Sequence, residues 1–135
     1  MNISCFDDLL AAARQQSVPQ RLLFVFTAVE LPEDCTPAQR KAFDAGAGGA
    51  LTPLACLDKS ADELDSFEAL CAESRLYIPA WTLVFAAALS GKTGQPLSSE
   101  DAEAPLNKMV DMIKTGAVGP LIPFDTSGHA VVLTA

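Results

Sequence analysis

Histidine occurs once in these 135 residues, at position 129. One imidazole leaves little to build a metal centre from, because zinc sites draw on Cys and His together. The four cysteines, Cys5, Cys35, Cys56 and Cys71, form no CxxC pair and no zinc spacing. No metal and no cofactor are expected. Basic residues are also scarce: nine Lys and Arg stand against 17 Asp and Glu, a net charge of -8. Nucleic acid is not an expected partner, because its phosphates need clusters of Lys and Arg. The same deficit argues against an anionic membrane surface. The longest apolar run, around Leu83–Leu89, falls far short of the ~20 residues that cross a bilayer. The stretch from Asn2 to Asp8 lacks the basic start and apolar run of a secretory signal. The expectation is a cytoplasmic protein with reduced thiols.

What the chain does have is apolar residues, 50% of the total, against only 19% charged. A chain of this length buries roughly 68% of its unfolded surface, enough for a real core. With a mean hydropathy of +0.25, some apolar surface is left for a partner.

The chain also repeats itself. Phe6 to Pro19 followed by Phe24–Ala28 matches Phe67 to Pro79 followed by Leu83–Ala87. Each copy closes on a similar phrase, Gly46–Leu54 and Gly116–Phe124. The spacing is 61 at Arg14 and Arg75, 60 at Pro19 and Pro79, 59 along the strands and 70 at the glycines. The slips fall where loops are expected, and loops tolerate insertions. Apolar periodicity does not demand the paired Arg, Pro and Gly, so an internal repeat of 4–58 and 61–125 is the expectation.

Caps and periodicity place four helices. Ser4 precedes Cys5–Gln16, Thr36 with Gln39 opens Pro37–Ala45, Ser60 with Glu63 opens Ala61–Leu76, and Ser98 or Ser99 opens a helix to Thr115. Pro105 inside the last pattern means a late start or a kink. Phe6, Leu9, Leu10 and Ala13 form one apolar stripe; Leu64, Phe67, Leu70 and Cys71 form another; Leu106, Met109, Val110 and Ile113 form a third.

Strands are expected at Leu22–Val29, Ala50–Leu57, Thr82–Leu89 and Leu121–Asp125, with a short hairpin strand over 129–134. Pro53 and Pro123 push the second and fourth strands toward sheet edges, because proline lacks a ladder donor. Helices between strands favour parallel pairing. The fold class expected is α/β: one domain over residues 1–135, with duplicated α-β-α-β units around one mixed sheet of four to five strands. The expected spatial order is second, first, third, fourth. A pseudo-twofold perpendicular to the sheet would make the central pair antiparallel.

Ser90, Gly91, Lys92 and Thr93 are the candidate ligand-binding residues, because Gly-Lys-Thr after an apolar strand resembles a phosphate loop. The glycine such a loop needs five residues earlier is Ala86, and Gly94 and Pro96 interrupt the helix start. A polar surface turn is the plainer reading. Gly46–Gly49 reads as a helix stop and turn. Cys5 sits at a helix start, which lowers a thiol pKa, but Asp7 and Asp8 oppose that. Cys56 and Cys71 read as small core residues, and Cys35 is disfavoured by Glu33 and Asp34. His129 would need a nucleophile or carboxylate near it; Asp125 is close in sequence, but turn aspartates usually serve the backbone. The acidic groups Glu30, Glu33 and Asp34, and Glu100, Asp101 and Glu103, read as solvated faces and helix-start charges. No residue is assigned a catalytic or metal-binding role.

Leu22–Phe26, Gly48–Leu54, Asp58-Lys59 and Glu103–Leu106 resemble a family of small bacterial proteins, some of them labelled "ribonucleotide reductase subunit alpha". The resemblance covers most of the chain. A reductase large subunit is a many-hundred-residue barrel with a radical cysteine and a redox cysteine pair. This chain has neither the length nor the pair, so the label brings no catalytic residue with it. The function expected is a non-enzymatic module that binds a protein partner or itself through an exposed edge at Ala50–Leu57. The alternative is a small-ligand or anion-binding protein, or an enzyme, using Ser90–Thr93 at the carboxyl ends of the central strands.

Overall fold

The structure is a computed structural model that describes residues 3–30, 36–44, 50–78, 80–91 and 97–131. Its elements run α1 (Phe6–Arg14), β1 (Gln20–Glu30), α2 (Pro37–Asp44), β2 (Ala50–Ser60), α3 (Phe67–Tyr77), β3 (Leu83–Ser90), α4 (Ser99–Thr115) and β4 (Ile122–Phe124). All four helices and four strands stand where apolar periodicity and caps place them, with shifted ends. The architecture is α/β with one small sheet.

The caps explain the shifts. Cys5, not Ser4, is the N-cap of α1; the Ser4 hydroxyl instead donates to the Asp8 carboxylate at 3.0 Å. Asp8 also accepts the backbone N–H of Cys5 at 3.3 Å. Ser60 does not start α3. Its hydroxyl accepts the Glu63 N–H at 3.2 Å in a turn, and the helix begins six residues later, capped by Ser66, whose hydroxyl accepts from Ala69 at 3.1 Å. Ser98 caps α4 with Asp101 in a reciprocal capping box, and the helix runs through Pro105 to a left-handed Gly116.

The sheet order is β2-β1-β3-β4, as expected. Every described pairing is antiparallel, so the expectation of a mixed sheet with parallel β1 and β2 is overturned. The reason lies in the register. Glu30, the last residue of β1, faces Ala50, the first of β2. The two strand ends that flank α2 therefore lie side by side, as in a hairpin.

Two terminal hydrogen bonds fix which way every strand residue points its backbone. Ala61 donates to the Gln20 carbonyl at 3.0 Å, and Gly91 donates to the Pro19 carbonyl at 2.8 Å. In antiparallel strands, N–H and C=O of one residue point the same way and alternate along the chain. Even-numbered residues of β1 thus bond to β2, and odd-numbered ones to β3. From the β1–β2 register, Ala55, Leu57 and Lys59 bond inward to β1, while Cys56, Asp58 and Ser60 point outward. The register slips between Phe26 and Thr27, leaving Leu54 as a bulge, and beyond it Pro53 points outward. Pro123 also points away from β3, because its carbonyl accepts Val131 at 3.0 Å. Neither proline costs the sheet a bond, which is why both edge strands tolerate one.

The sheet has a core on each face. On one, Leu22, Phe24 and Phe26 of β1 meet Phe6, Leu9 and Leu10 of α1 and Phe67 and Leu70 of α3. Phe6 is the hub, with ring centroids 5.7 Å from Phe24, 5.1 Å from Phe67 and 5.5 Å from Phe124. Trp81 is buried there, and its indole N–H donates to the buried Ser74 hydroxyl at 2.9 Å. On the other face, Leu23, Val25 and Phe85 lie under Ala102, Leu106, Met109 and Ile113 of α4. Burying each such side chain stabilises the fold by about 1.5–3 kcal/mol.

The spacing of 59 expected along the strands does not fit the register. A twofold axis perpendicular to the sheet keeps each residue on its own face. At a spacing of 59, Phe24 matches Leu83, yet Phe24 belongs to one core and Leu83 packs against the other. The register pairs Gln20 with Ser90 and Thr27 with Leu83, so residues of β1 and β3 that share a face differ by an even number.

Candidate functional site

The two edges of the sheet differ. Beside β4, the Asp125–Gly128 turn brings the chain back, and Ala130 bridges to Phe124. Ala130 then donates to Ser4 at 2.9 Å, Phe6 donates to Gly128 at 2.7 Å, and Cys5 bridges to His129. The chain thus closes this edge with its own residues. The expected strand over 129–134 is present as these bridges, and residues 132–134 lie outside the described ones. Beside β2, no strand pairs with the outer side among the described residues.

Helices on both faces tie β2 down. The Arg21 guanidinium lies almost buried between Asp58 on β2 and the start of α4. Its Nε donates to Asp58 at 2.6 Å, one terminal nitrogen to the Leu97 carbonyl at 3.2 Å, and the other to the Ser99 hydroxyl at 2.8 Å. Ser99 in turn donates to Asp58 at 2.8 Å. On the opposite face Lys59 meets Glu73 of α3 at 2.8 Å, a contact that raises the Lys59 pKa. Both charges of β2 are therefore paired within the chain. Leu54 and Cys56 are exposed on the strand; partial burial still pushes the Cys56 thiol pKa up. The expectation of Cys56 as a core residue is overturned, because an edge strand lacks a neighbour to cover it. Cys71 is partly buried against the first core, as expected, and burial raises its pKa.

Of the four candidate ligand residues, Ser90 and Gly91 are described, whereas Lys92 and Thr93 lie outside the described residues. The Ser90 hydroxyl engages the side-chain amide of Gln20 at 3.0 Å, and the Gly91 N–H is used by Pro19. Because β1 and β3 are antiparallel, the carboxyl end of β3 lies beside the amino end of β1. The ligand crevice at shared carboxyl ends, which belongs to parallel sheets, is therefore missing here. The neighbouring cleft of about 470 Å³ is lined by Arg14, Gln20, Arg21, Asp62 and Glu63 among others. Arg14 donates to the Ala61 and Leu64 carbonyls, so both arginines are already partnered.

His129 does have company. Ser127 Oγ lies 2.6 Å from Asp125 Oδ1 and 2.8 Å from His129 Nδ1. The short contact to a carboxylate uses the serine O–H, so Nδ1–H donates to the serine oxygen. Asp125 also accepts the backbone N–H groups of Ser127 and His129 at 2.9 and 3.1 Å. The Ser127 hydroxyl and these amides hold its pKa below the usual range. The aspartate serves the turn, as turn chemistry predicts. Its serine donates its hydrogen bond to the carboxylate, not to the imidazole, so the trio is not arranged as a nucleophile with its base. Among the described residues no group of three or more His, Cys, Asp or Glu is placed to hold a metal ion. No described helix is long and apolar enough to cross a membrane.

Sequence reasoning misses the Arg21–Asp58–Ser99 cluster. Its signal is an arginine opening an otherwise apolar strand, a residue that must find a partner. Family models, curated proteins and solved structures yield no match to the chain.

Proposed function

We propose that the protein is a non-enzymatic interaction module that takes up an extended polypeptide strand along the outer side of β2. The observation that carries this is the contrast of the edges: one is closed by the chain itself, and the other leaves the outward N–H and C=O groups of Cys56 and Asp58 without a strand among the described residues. Unpaired edges recruit strands, and strand addition is a common mode of peptide recognition. The test is an NMR titration of the protein with a synthetic peptide of residues 51–60. Shifts centred on the amides of Cys56, Asp58 and Ser60 are expected. No change at millimolar peptide, or changes centred on Ser90 and Gly91, would refute the reading.

We also infer that the two halves arose by duplication, with a strand spacing of 60. Support comes from the shared element order and from α1 and α3 packing on one face. The placement of α2 decides it: long-range NMR contacts that put α2 on the face of α1 and α3 would sink the idea, because α4 lies on the other.

A further inference from the structure

The geometry points to a second copy of this chain as the strand that β2 takes up, paired antiparallel about a twofold axis at Leu57. This inference rests on the edge reading above and names its partner.

Charge is the first argument. The chain carries a net charge of -8, so two copies meet only where charge is locally spent. Edge strands of monomers usually keep free charges that repel a second copy. Here the charges of β2 are neutralised from inside, Asp58 by Arg21 and Lys59 by Glu73. The stretch Ala55–Ser60 is thus regular beyond the bulge, and its own two charges, Asp58 and Lys59, cancel, while Glu63 also lies 4.0 Å from Arg21.

Backbone chemistry selects the register. The Ser60 carbonyl already accepts Glu63 at 3.1 Å, so within Ala55–Ser60 the outward residues with both groups available are Cys56 and Asp58. An axis at Leu57 pairs each Cys56 with Asp58 of the other copy and uses all four N–H and all four C=O groups of these residues. An axis at Asp58 would set two aspartates directly opposite, which is destabilising. An axis at Cys56 would set the Leu54 bulge against Asp58. In the favoured register the two four-stranded sheets become one continuous sheet.

The test is sedimentation of the full chain over a range of concentrations, for wild type and Cys56→Pro. The Cys56 N–H points outward, so proline there blocks pairing without removing a bond of the chain's own sheet. Wild type is expected to approach twice the chain mass with rising concentration, and Cys56→Pro to remain at the chain mass with an unchanged melting temperature in dilute solution. A dimer that survives Cys56→Pro would overturn this interface. Should the variant not fold, amide exchange of wild type decides. Protection at Cys56 and Asp58 that grows with concentration supports the pairing, and concentration-independent exchange refutes it. A wild-type monomer at all concentrations that still takes up the 51–60 peptide overturns the second copy alone; one that ignores the peptide overturns the edge reading with it.

Discussion

Val131 donates its N–H to the carbonyl of Pro123 at 3.0 Å, closing the β4 side of the sheet at the residue that could not have donated to β3. Pro53 on β2 also points outward, with no strand beyond it among the described residues. The asymmetry between two similar edge strands underlies the functional reading, and its consequences can be measured.

Proline scanning tests the backbone assignment. Ala55→Pro removes a donor that points at Phe26 and orphans a buried carbonyl, so a loss of about 1–3 kcal/mol is expected in urea unfolding. Cys56→Pro, one residue on, is expected to change the stability of the dilute protein little. Equal losses at both positions would mean the alternation has been assigned wrongly.

Gly128 holds the closed edge shut. Its φ is +86°, and a Cβ there would lie 3.0 Å from the Phe67 ring. Gly128→Ala is expected to cost about 1–2 kcal/mol for the left-handed backbone alone, with the ring contact adding to it. Thermal unfolding followed by circular dichroism reads the loss, and an unchanged midpoint would show that the turn does not brace the edge.

Arg21 is expected to matter more through its absence than its presence. Arg21→Met leaves Asp58 charged, 18% exposed and without its counter-ion, a change that costs about 3–5 kcal/mol for a buried pair. Arg21→Met with Asp58→Leu removes both charges and is expected to recover most of the loss. A double variant as unstable as the single one would show that the hydrogen bonds to Leu97 and Ser99, not the buried charge, hold α4 to the sheet.

Acid sensitivity follows from Asp8 and Asp125. Hydrogen bonds from Ser4 and Cys5 hold Asp8 below the ordinary carboxylate range, and the Ser127 and His129 contacts do the same for Asp125. A depressed folded-state pKa stabilises above the unfolded value of about 3.9 and is lost as pH falls through the folded one. Denaturation midpoints should therefore drop below about pH 4, with a shallower drop in Asp8→Asn and Asp125→Asn. Identical pH profiles for wild type and both variants would remove these carboxylates from the account.

Much of the fold is legible in the sequence, for physical reasons. The stripe Phe6, Leu9, Leu10 and Ala13 is wholly buried, because one helical face must be. Pro53 and Pro123 mark the edges, because a missing donor is tolerated only there. Strand direction is not legible: a helix between two strands reads as a crossover whether it spans the sheet or, like α2, lies within a hairpin excursion. The candidate site is legible only in part. The edge at Ala50–Leu57 is readable from Pro53. The neutralisation of Asp58 and Lys59 depends on Arg21, Ser99 and Glu73, which are distant in sequence and meet only through the register.

Amide hydrogen exchange along β2, resolved by NMR at a dilution where the chain is monomeric and repeated with the 51–60 peptide, tests the open edge most directly. Slow exchange is expected at Ala55, Leu57 and Lys59 throughout, with fast exchange at Cys56 and Asp58 that slows when the peptide is added. Uniformly slow exchange in the dilute protein, or fast exchange at Cys56 and Asp58 that the peptide leaves unchanged, would contradict it.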